Sequence, residues 1–190
     1  MKSRARILVD KSVEAMLASV EVYNKPAFSY REEAFAILAI NSWELLLKAR
    51  VLQLDRNRLS AILVYETKNK PDGTKSAVLY RKKNRAGNYM TLSLFQTHDR
   101  IVTFYKDNID PAVRTNLEAL VELRDNAIHF FNKDFDLTKG IHEIGAATVK
   151  NYTSASRQWF GVDLSVSYTH LRAHETKANL VCRLLLDKKK

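Results

Sequence analysis

Apolar residues recur at three- and four-residue steps along most of this chain, which predicts a protein built mainly from α-helices. The first helical segment covers residues 3–24 and ends before Lys25-Pro26, because proline interrupts the helical hydrogen bonds. The second covers residues 30–54 and is apolar almost all round, as is typical of a helix that neighbours cover on every side. Further helices are predicted over about 91–106, over 111–131 and from about 137 to Phe160.

Two short segments between the second and third helices have the composition of β-strands. Residues 61–67, AILVYET, and residues 76–83, SAVLYRKK, are rich in β-branched and aromatic side chains. A polar turn containing Pro71-Asp72-Gly73 separates them, which predicts a β-hairpin. We therefore expect a mainly α fold, a bundle of four to five helices with a small inserted β-hairpin.

The C-terminal residues 165–190 fit the rest of the chain poorly. Over Ser165–Thr176 and Leu180–Leu186 they resemble, nearly letter for letter, the conceptual translation of a sequencing-library adapter. We therefore expect one helical domain over residues 1–164, truncated at its natural C-terminus, followed by a non-native adapter-derived tail over residues 165–190. The alternative is a genuine amphipathic terminal helix.

Excluding this tail changes the net charge of the domain and removes several candidate metal-binding residues. The chain has 31 lysines and arginines against 21 acids, a net charge of +10, and the tail holds six of these cations and two of these acids. Residues 1–164 therefore carry 25 minus 19, or +6, which permits a nucleic-acid partner without requiring one. Cys182, His170 and His174 also lie in the tail, so thiolate chemistry and a metal site are not expected.

Several other classes of protein are excluded by simple patterns. No run of about 18 uncharged apolar residues is present, so no membrane association is expected. Asp10, Lys11 and Glu14 interrupt the apolar start of the chain, which therefore does not have the pattern of a secretory signal. The sequence has five glycines and no glycine-rich phosphate loop. We expect a cytoplasmic protein without a cofactor.

The predicted hairpin combines positive charge with aromatic side chains. Tyr65, Tyr80 and Tyr89 lie close to its cations in sequence, so bases could stack on the rings while the cations bind phosphates. The alternative is a solvated hairpin whose charged edges prevent aggregation. The cations assigned to this candidate nucleic-acid-binding surface are Lys68, Lys70, Arg81, Lys82, Lys83 and Arg85.

One charge falls in the middle of an apolar stripe on helix 111–131. This charge is Arg124, and the stripe around it consists of Val113, Leu117, Leu120, Val121, Ile128 and Phe131. A guanidinium cannot lose its proton to escape burial, so it needs an anionic partner. Within the chain that partner could be Glu44, which lies among apolar residues of the second helix; outside the chain it could be an anionic ligand or a second protomer.

The other polar residues of this helix lie on the opposite flank. Asp125 and His129 are four positions apart, a spacing that places a carboxylate beside the imidazole.

The sequence RDNAIH, residues 124–129, resembles the Arg–x4–6–His motif of the HEPN superfamily (higher eukaryotes and prokaryotes nucleotide-binding). That motif lies on a late helix of a small all-α bundle. More closely, residues 1–164 resemble a bacterial family of domains of unknown function, number 3644. The stretches that carry this likeness are residues 2–49, KSRARILVDKSVEAMLASVEVYNKPAFSYREEAFAILAINSWELLLKA, residues 109–131, IDPAVRTNLEALVELRDNAIHFF, and residues 143–152, EIGAATVKNY.

The HEPN resemblance implies a bundle that forms a homodimer in which the Arg–His helices face one another. Many such proteins are metal-independent endoribonucleases of toxin–antitoxin and antiviral defence systems, so RNA and an antitoxin protein are the implied partners. Carried over, Arg124 would bind the scissile phosphate and His129 would act as general acid or base. Asp125 could orient His129. The candidate catalytic set is therefore Arg124, Asp125, Asn126 and His129, with Glu44 in support.

The residues also permit a different function. A non-catalytic α-helical module that binds RNA or a partner protein would contain the same helix, with Arg124 paired to Glu44 only to fix helix packing.

Overall fold

The computed structural model describes residues 2–71, 73–129 and 135–165, and for residues 126–129 and 135–139 it describes the backbone alone. Within these ranges the chain forms a helical bundle with one two-stranded antiparallel hairpin. The helices are α1 (Arg4–Tyr23), α2 (Arg31–Leu54), α3 (Leu94–Asp99), α4 (Pro111–His129) and α5 (Phe135–Phe160), and the strands are β1 (Tyr65–Asn69) and β2 (Lys75–Arg81). The predicted fold class is confirmed. The predicted tail lies outside the described residues, except for Ser165 at its start.

Helices α1 and α2 pack together as the first antiparallel pair of the bundle. Ser12 of α1 and Ser42 of α2 are buried and exchange hydrogen bonds, since each hydroxyl donates to the backbone carbonyl of the other residue, at 2.7 and 2.8 Å. This exchange satisfies two polar side chains inside an otherwise apolar contact.

Helix α5 runs parallel to α2 along the same side of the bundle. Three contacts establish its direction: Gly145 lies against Phe35, Tyr152 against Trp43, and Trp159 beneath the guanidinium of Arg50. The Tyr152 hydroxyl is 2.8 Å from Ser12 Oγ. Because the Ser12 proton is already donated to Ser42, Tyr152 is the donor, and its side chain joins three helices.

Helix α4 begins where the sequence predicts. Asp110 accepts a hydrogen bond from the amide of Ala112 at 2.9 Å, and Pro111 occupies the first helical position, where its missing N–H costs nothing. Val113, Leu117 and Leu120 are buried in the core, and the half-buried Leu123 packs over Gly140 of α5. This face of α4 fixes where the Arg–His segment emerges from the bundle.

Two segments adopt a different local structure from the one that the sequence predicts. Strand β1 begins at Tyr65, because Leu59–Ile62 forms a 3-10 turn that buries Ala61 and Ile62 in the core. The predicted third helix is α-helical only over Leu94–Asp99 and continues as a π-helical turn over Arg100–Phe104, in which the amide of Tyr105 donates to the carbonyl of Arg100.

Three backbone hydrogen bonds form a closed ring at the base of the hairpin. Val64 donates to Met90, Met90 donates to Lys82, and Lys82 donates to Val64, each at 2.9 Å. The base of the hairpin is thereby fixed, while both strands are exposed along most of their length.

Candidate functional site

Arg124 lies at the point where the buried face of α4 reaches solvent. It follows Val113, Leu117 and Leu120 at helical spacing, but its side chain is 30% exposed. The Arg124 side chain therefore lies on the same helical stripe as these buried residues but extends out of the core towards solvent. A half-buried guanidinium of this kind keeps its charge accessible to a ligand.

The guanidinium of Arg124 is held by its sequence neighbour. Nε and a terminal nitrogen both donate to Oδ1 of Asp125, at 2.9 and 2.7 Å. Asp125 is 51% exposed, and no other acid among the described residues lies within ion-pair distance of Arg124. The positive charge of Arg124 is therefore balanced by a carboxylate on its solvent-exposed side.

The pair between Arg124 and Glu44, one of the alternatives that the sequence left open, does not form: Arg124 pairs with Asp125 and Glu44 with Lys48. Glu44 instead accepts a hydrogen bond from Lys48, one turn along α2, at 2.5 Å. Lys48 is buried and also donates to the hydroxyl of Thr91 at 2.9 Å. A buried ammonium needs an anion, and the i,i+4 neighbour provides one without any long-range contact.

His129 and Asn126 belong to α4, but their side chains lie outside the described residues. The helical backbone places position 129 about 140° around the axis from Arg124 and about 7.5 Å further along it. Relative to Asp125 the offset is only about 40° around the axis. The histidine position therefore shares a flank with Asp125, and both lie in the C-terminal part of the helix, which also contains Arg124.

The predicted nucleic-acid-binding cations occupy several places on the hairpin. Arg81 and Lys83 lie over the ring of Tyr89, with 5.5 and 5.3 Å between the cationic centre and the ring centroid. Lys68 lies over Tyr80 at 4.9 Å. Lys82 is half-buried at the hairpin base, and the remaining two cations are exposed in turns; these are Lys70 and Arg85.

Sequence reasoning missed a charged group that joins α3 to α4. The buried His98 lies with Nδ1 3.3 Å from Asp99 Oδ1, and Asp99 also accepts a hydrogen bond from Arg114 at 2.6 Å. Arg114 donates to Glu118 at 2.5 Å, and this bond raises the pKa of the guanidinium, with Asp99 acting in the same direction. Only the Arg114–Glu118 step has a readable i,i+4 spacing.

Two broader features of the site region follow from the described residues. Among them, no group of three histidine, cysteine or acidic side chains is arranged to hold a metal ion. None of the helices within the described ranges has the length and apolar character needed to cross a bilayer.

The family whose description reads "Domain of unknown function (DUF3644)" matches residues 7–173 of the chain. The chain belongs to the DUF3644 family. The DUF3644 match begins inside α1, covers α2 to α5, and ends nine residues beyond Leu164, inside the segment predicted to be a non-native tail. No curated protein and no solved structure matches the chain significantly. The HEPN likeness of residues 124–129 and the adapter origin of the tail stay predictions.

Proposed function

We propose that this DUF3644 protein is a metal-independent endoribonuclease whose composite site is built from Arg124 and His129 at a homodimer interface. The observation that carries the proposal is the position of Arg124. Its half-buried guanidinium ends a buried stripe, and among the described residues its one ion partner is the side chain of its neighbour Asp125. A phosphate can replace such a partner without opening the core, because exposed ion pairs contribute little free energy.

The chemistry assigned to these residues is transesterification within RNA. The 2′-oxygen attacks the adjacent phosphorus, its proton passes to a histidine, and the bond from phosphorus to the 5′-oxygen breaks. A second proton passes to that leaving oxygen, which gives a 2′,3′-cyclic phosphate and a 5′-hydroxyl. Arg124 stabilises the charge that develops on the phosphoryl oxygens, and two copies of His129 in a dimer supply one base and one acid.

The distribution of charge supports RNA as the substrate. Residues 64–91 contain seven lysines and arginines and two acids, so this segment carries +5 of the net +10 of the chain. Concentrated positive charge attracts a polyanion and speeds its association. In a cytoplasmic defence or toxin–antitoxin system, an antitoxin protein would restrain this activity.

A non-catalytic RNA- or protein-binding module is the second candidate function. The ion pair between Arg124 and Asp125 favours it, because the carboxylate places negative charge where a phosphate would have to bind. In this alternative Arg124 stays paired with Asp125, and the hairpin carries the binding.

An RNA-cleavage assay on the full chain separates the two candidates. Wild-type protein is incubated with a labelled single-stranded RNA in EDTA, alongside the Arg124→Ala and His129→Ala variants. We expect each variant to lose about 100-fold or more in cleavage rate while the dimer persists in sedimentation. Arg114→Ala is the matched control, since it removes an arginine from the same helix. Absence of cleavage by the wild type, with or without divalent metal, supports the second candidate.

A further inference from the structure

The hairpin has two chemically different faces. Side chains alternate along a strand, and residues directly opposite each other in an antiparallel pair point to the same face. Tyr65 is opposite Arg81, Thr67 is opposite Leu79, and Lys83 is opposite Tyr89. We call the surface formed by these residues the tyrosine face; it consists of Tyr65, Thr67, Leu79, Arg81, Lys83 and Tyr89.

The tyrosine face is open to solvent. Each of its six residues is exposed, with Tyr65 at 38% and Tyr89 at 46% of their accessible surface. Large aromatic side chains exposed together on a rigid element are typical of a binding surface. A hairpin that only connects two helices does not require two exposed tyrosines on one face.

Charge on the tyrosine face has a single sign. Arg81 and Lys83 lie over the Tyr89 ring, which holds both cations beside the aromatic surface. The described acid of residues 64–91 is Glu66, which is opposite Tyr80 and therefore belongs to the other face. No described residue of the tyrosine face is acidic, so this face complements a polyanion.

The base of the hairpin keeps these side chains in a fixed arrangement. The hydrogen-bonded ring of Val64, Lys82 and Met90 adjoins Tyr65, Arg81, Lys83 and Tyr89 in sequence. A surface that is already ordered loses little conformational entropy when a ligand binds.

We propose that the tyrosine face binds single-stranded RNA, with bases stacked on Tyr65 and Tyr89 and phosphates held by Arg81 and Lys83. Exposed rings can stack only on bases that are free of a duplex, whereas cations alone would bind either form. The choice of RNA rests on the proposed ribonuclease function, for which this face would select unpaired substrate.

The test is RNA binding by the full chain, measured as fluorescence anisotropy of a labelled 12-nucleotide single-stranded RNA in EDTA. We expect Tyr65→Ala and Tyr89→Ala each to weaken binding by about 5- to 100-fold. Tyr80→Ala is the matched control, because Tyr80 is similarly exposed on the other face of the hairpin and does not belong to the tyrosine face; its effect should stay below about 2-fold. Thermal unfolding of each variant checks that the fold is retained.

Three results would overturn the proposal: an equal loss in Tyr80→Ala and Tyr89→Ala, equally tight binding of a duplex RNA of the same length, or tyrosine-dependent binding of anionic lipid vesicles without binding of RNA. The cleavage assay is independent of this one. Tyrosine-dependent RNA binding without cleavage supports the tyrosine face and contradicts the ribonuclease. If Arg124→Ala abolishes cleavage while Tyr65→Ala and Tyr89→Ala leave RNA binding unchanged, the ribonuclease is supported and the tyrosine face is contradicted.

Discussion

Arg124 donates two hydrogen bonds to a single oxygen atom, Oδ1 of Asp125, from Nε at 2.9 Å and from a terminal nitrogen at 2.7 Å. Both side chains reach solvent, so water and salt screen the pair, and it contributes at most about 1 kcal/mol to folding. The pair therefore contributes little to the stability of the fold, and its main effect is on the access of an anionic ligand to Arg124.

Replacing Asp125 by asparagine should make the guanidinium more available. We expect Asp125→Asn to tighten RNA binding by about 2- to 5-fold, because the phosphate no longer competes with a carboxylate. If Asp125 also orients His129, the same variant should cleave more slowly, so binding and rate would move in opposite directions. Anisotropy and single-turnover cleavage measure the two effects. Asp99→Asn, which removes a carboxylate from Arg114, is the control; weaker RNA binding by Asp125→Asn would contradict the prediction.

Two glycines of α5 should respond in opposite ways to the same substitution. A Cβ at position 145 would lie 2.9 Å from Cε1 of Phe35, so Gly145→Ala forces α5 away from α2 and should destabilise the protein by about 1–2 kcal/mol. A Cβ at position 140 would lie 3.8 Å from Leu123, an ordinary contact. Gly140→Ala should therefore stabilise the fold by about 0.5–1 kcal/mol through helix propensity. Urea unfolding measures both, and equal effects would contradict the described packing of α5.

The pair between Glu44 and Lys48 should be structural. Glu44→Gln leaves the buried ammonium of Lys48 without an anion, and we expect a loss of about 1–2 kcal/mol, moderated because Glu44 is 34% exposed. Adding Lys48→Met should recover most of that loss, since the orphaned charge is removed. RNA cleavage per folded molecule should be unchanged in both proteins. If Glu44→Gln has normal stability and cleaves RNA more slowly, the structural role is contradicted and Glu44 belongs to the catalytic site.

Tyr152 should make the fold sensitive to alkaline pH. Burial raises the pKa of Tyr152 above 10.0. Because the folded-state pKa is the higher one, the contribution of Tyr152 is complete below about pH 10 and is lost as pH rises through the folded-state pKa. Tyr152→Phe should cost about 1 kcal/mol near neutral pH and should lose less stability than wild type above pH 10. Denaturant titrations across that range measure the difference, and parallel pH profiles would contradict the prediction.

The elements that the sequence predicted well depend on local patterns. Helix α4 was predictable because Asp110 and Pro111 mark its start and Val113, Leu117 and Leu120 repeat at helical spacing. Strand β1 begins later than its composition predicts, because the apolar Ala61 and Ile62 suit a strand equally well and core packing holds them in a 3-10 turn.

The candidate site was harder to predict because it depends on tertiary position. Whether Arg124 faces the core or solvent is decided by where α4 leaves the bundle, which periodicity does not determine. The i,i+4 spacing of Glu44 and Lys48 favours their pairing, whereas the apolar surroundings of Glu44 on α2 point equally to a partner on another helix.

Helix α5 supplies the third member of the Ser12–Ser42–Tyr152 contact from 140 positions away, and this separation affects synthesis of the protein. Helices α1 and α2 can pair as soon as residue 54 is available, and their serines already satisfy one another. The side of α2 that carries Phe35 and Trp43 then stays uncovered until more than 90 further residues have been translated. The nascent chain therefore presents an apolar groove through most of its elongation, which makes that interval the one in which chaperone binding and misassembly compete with folding.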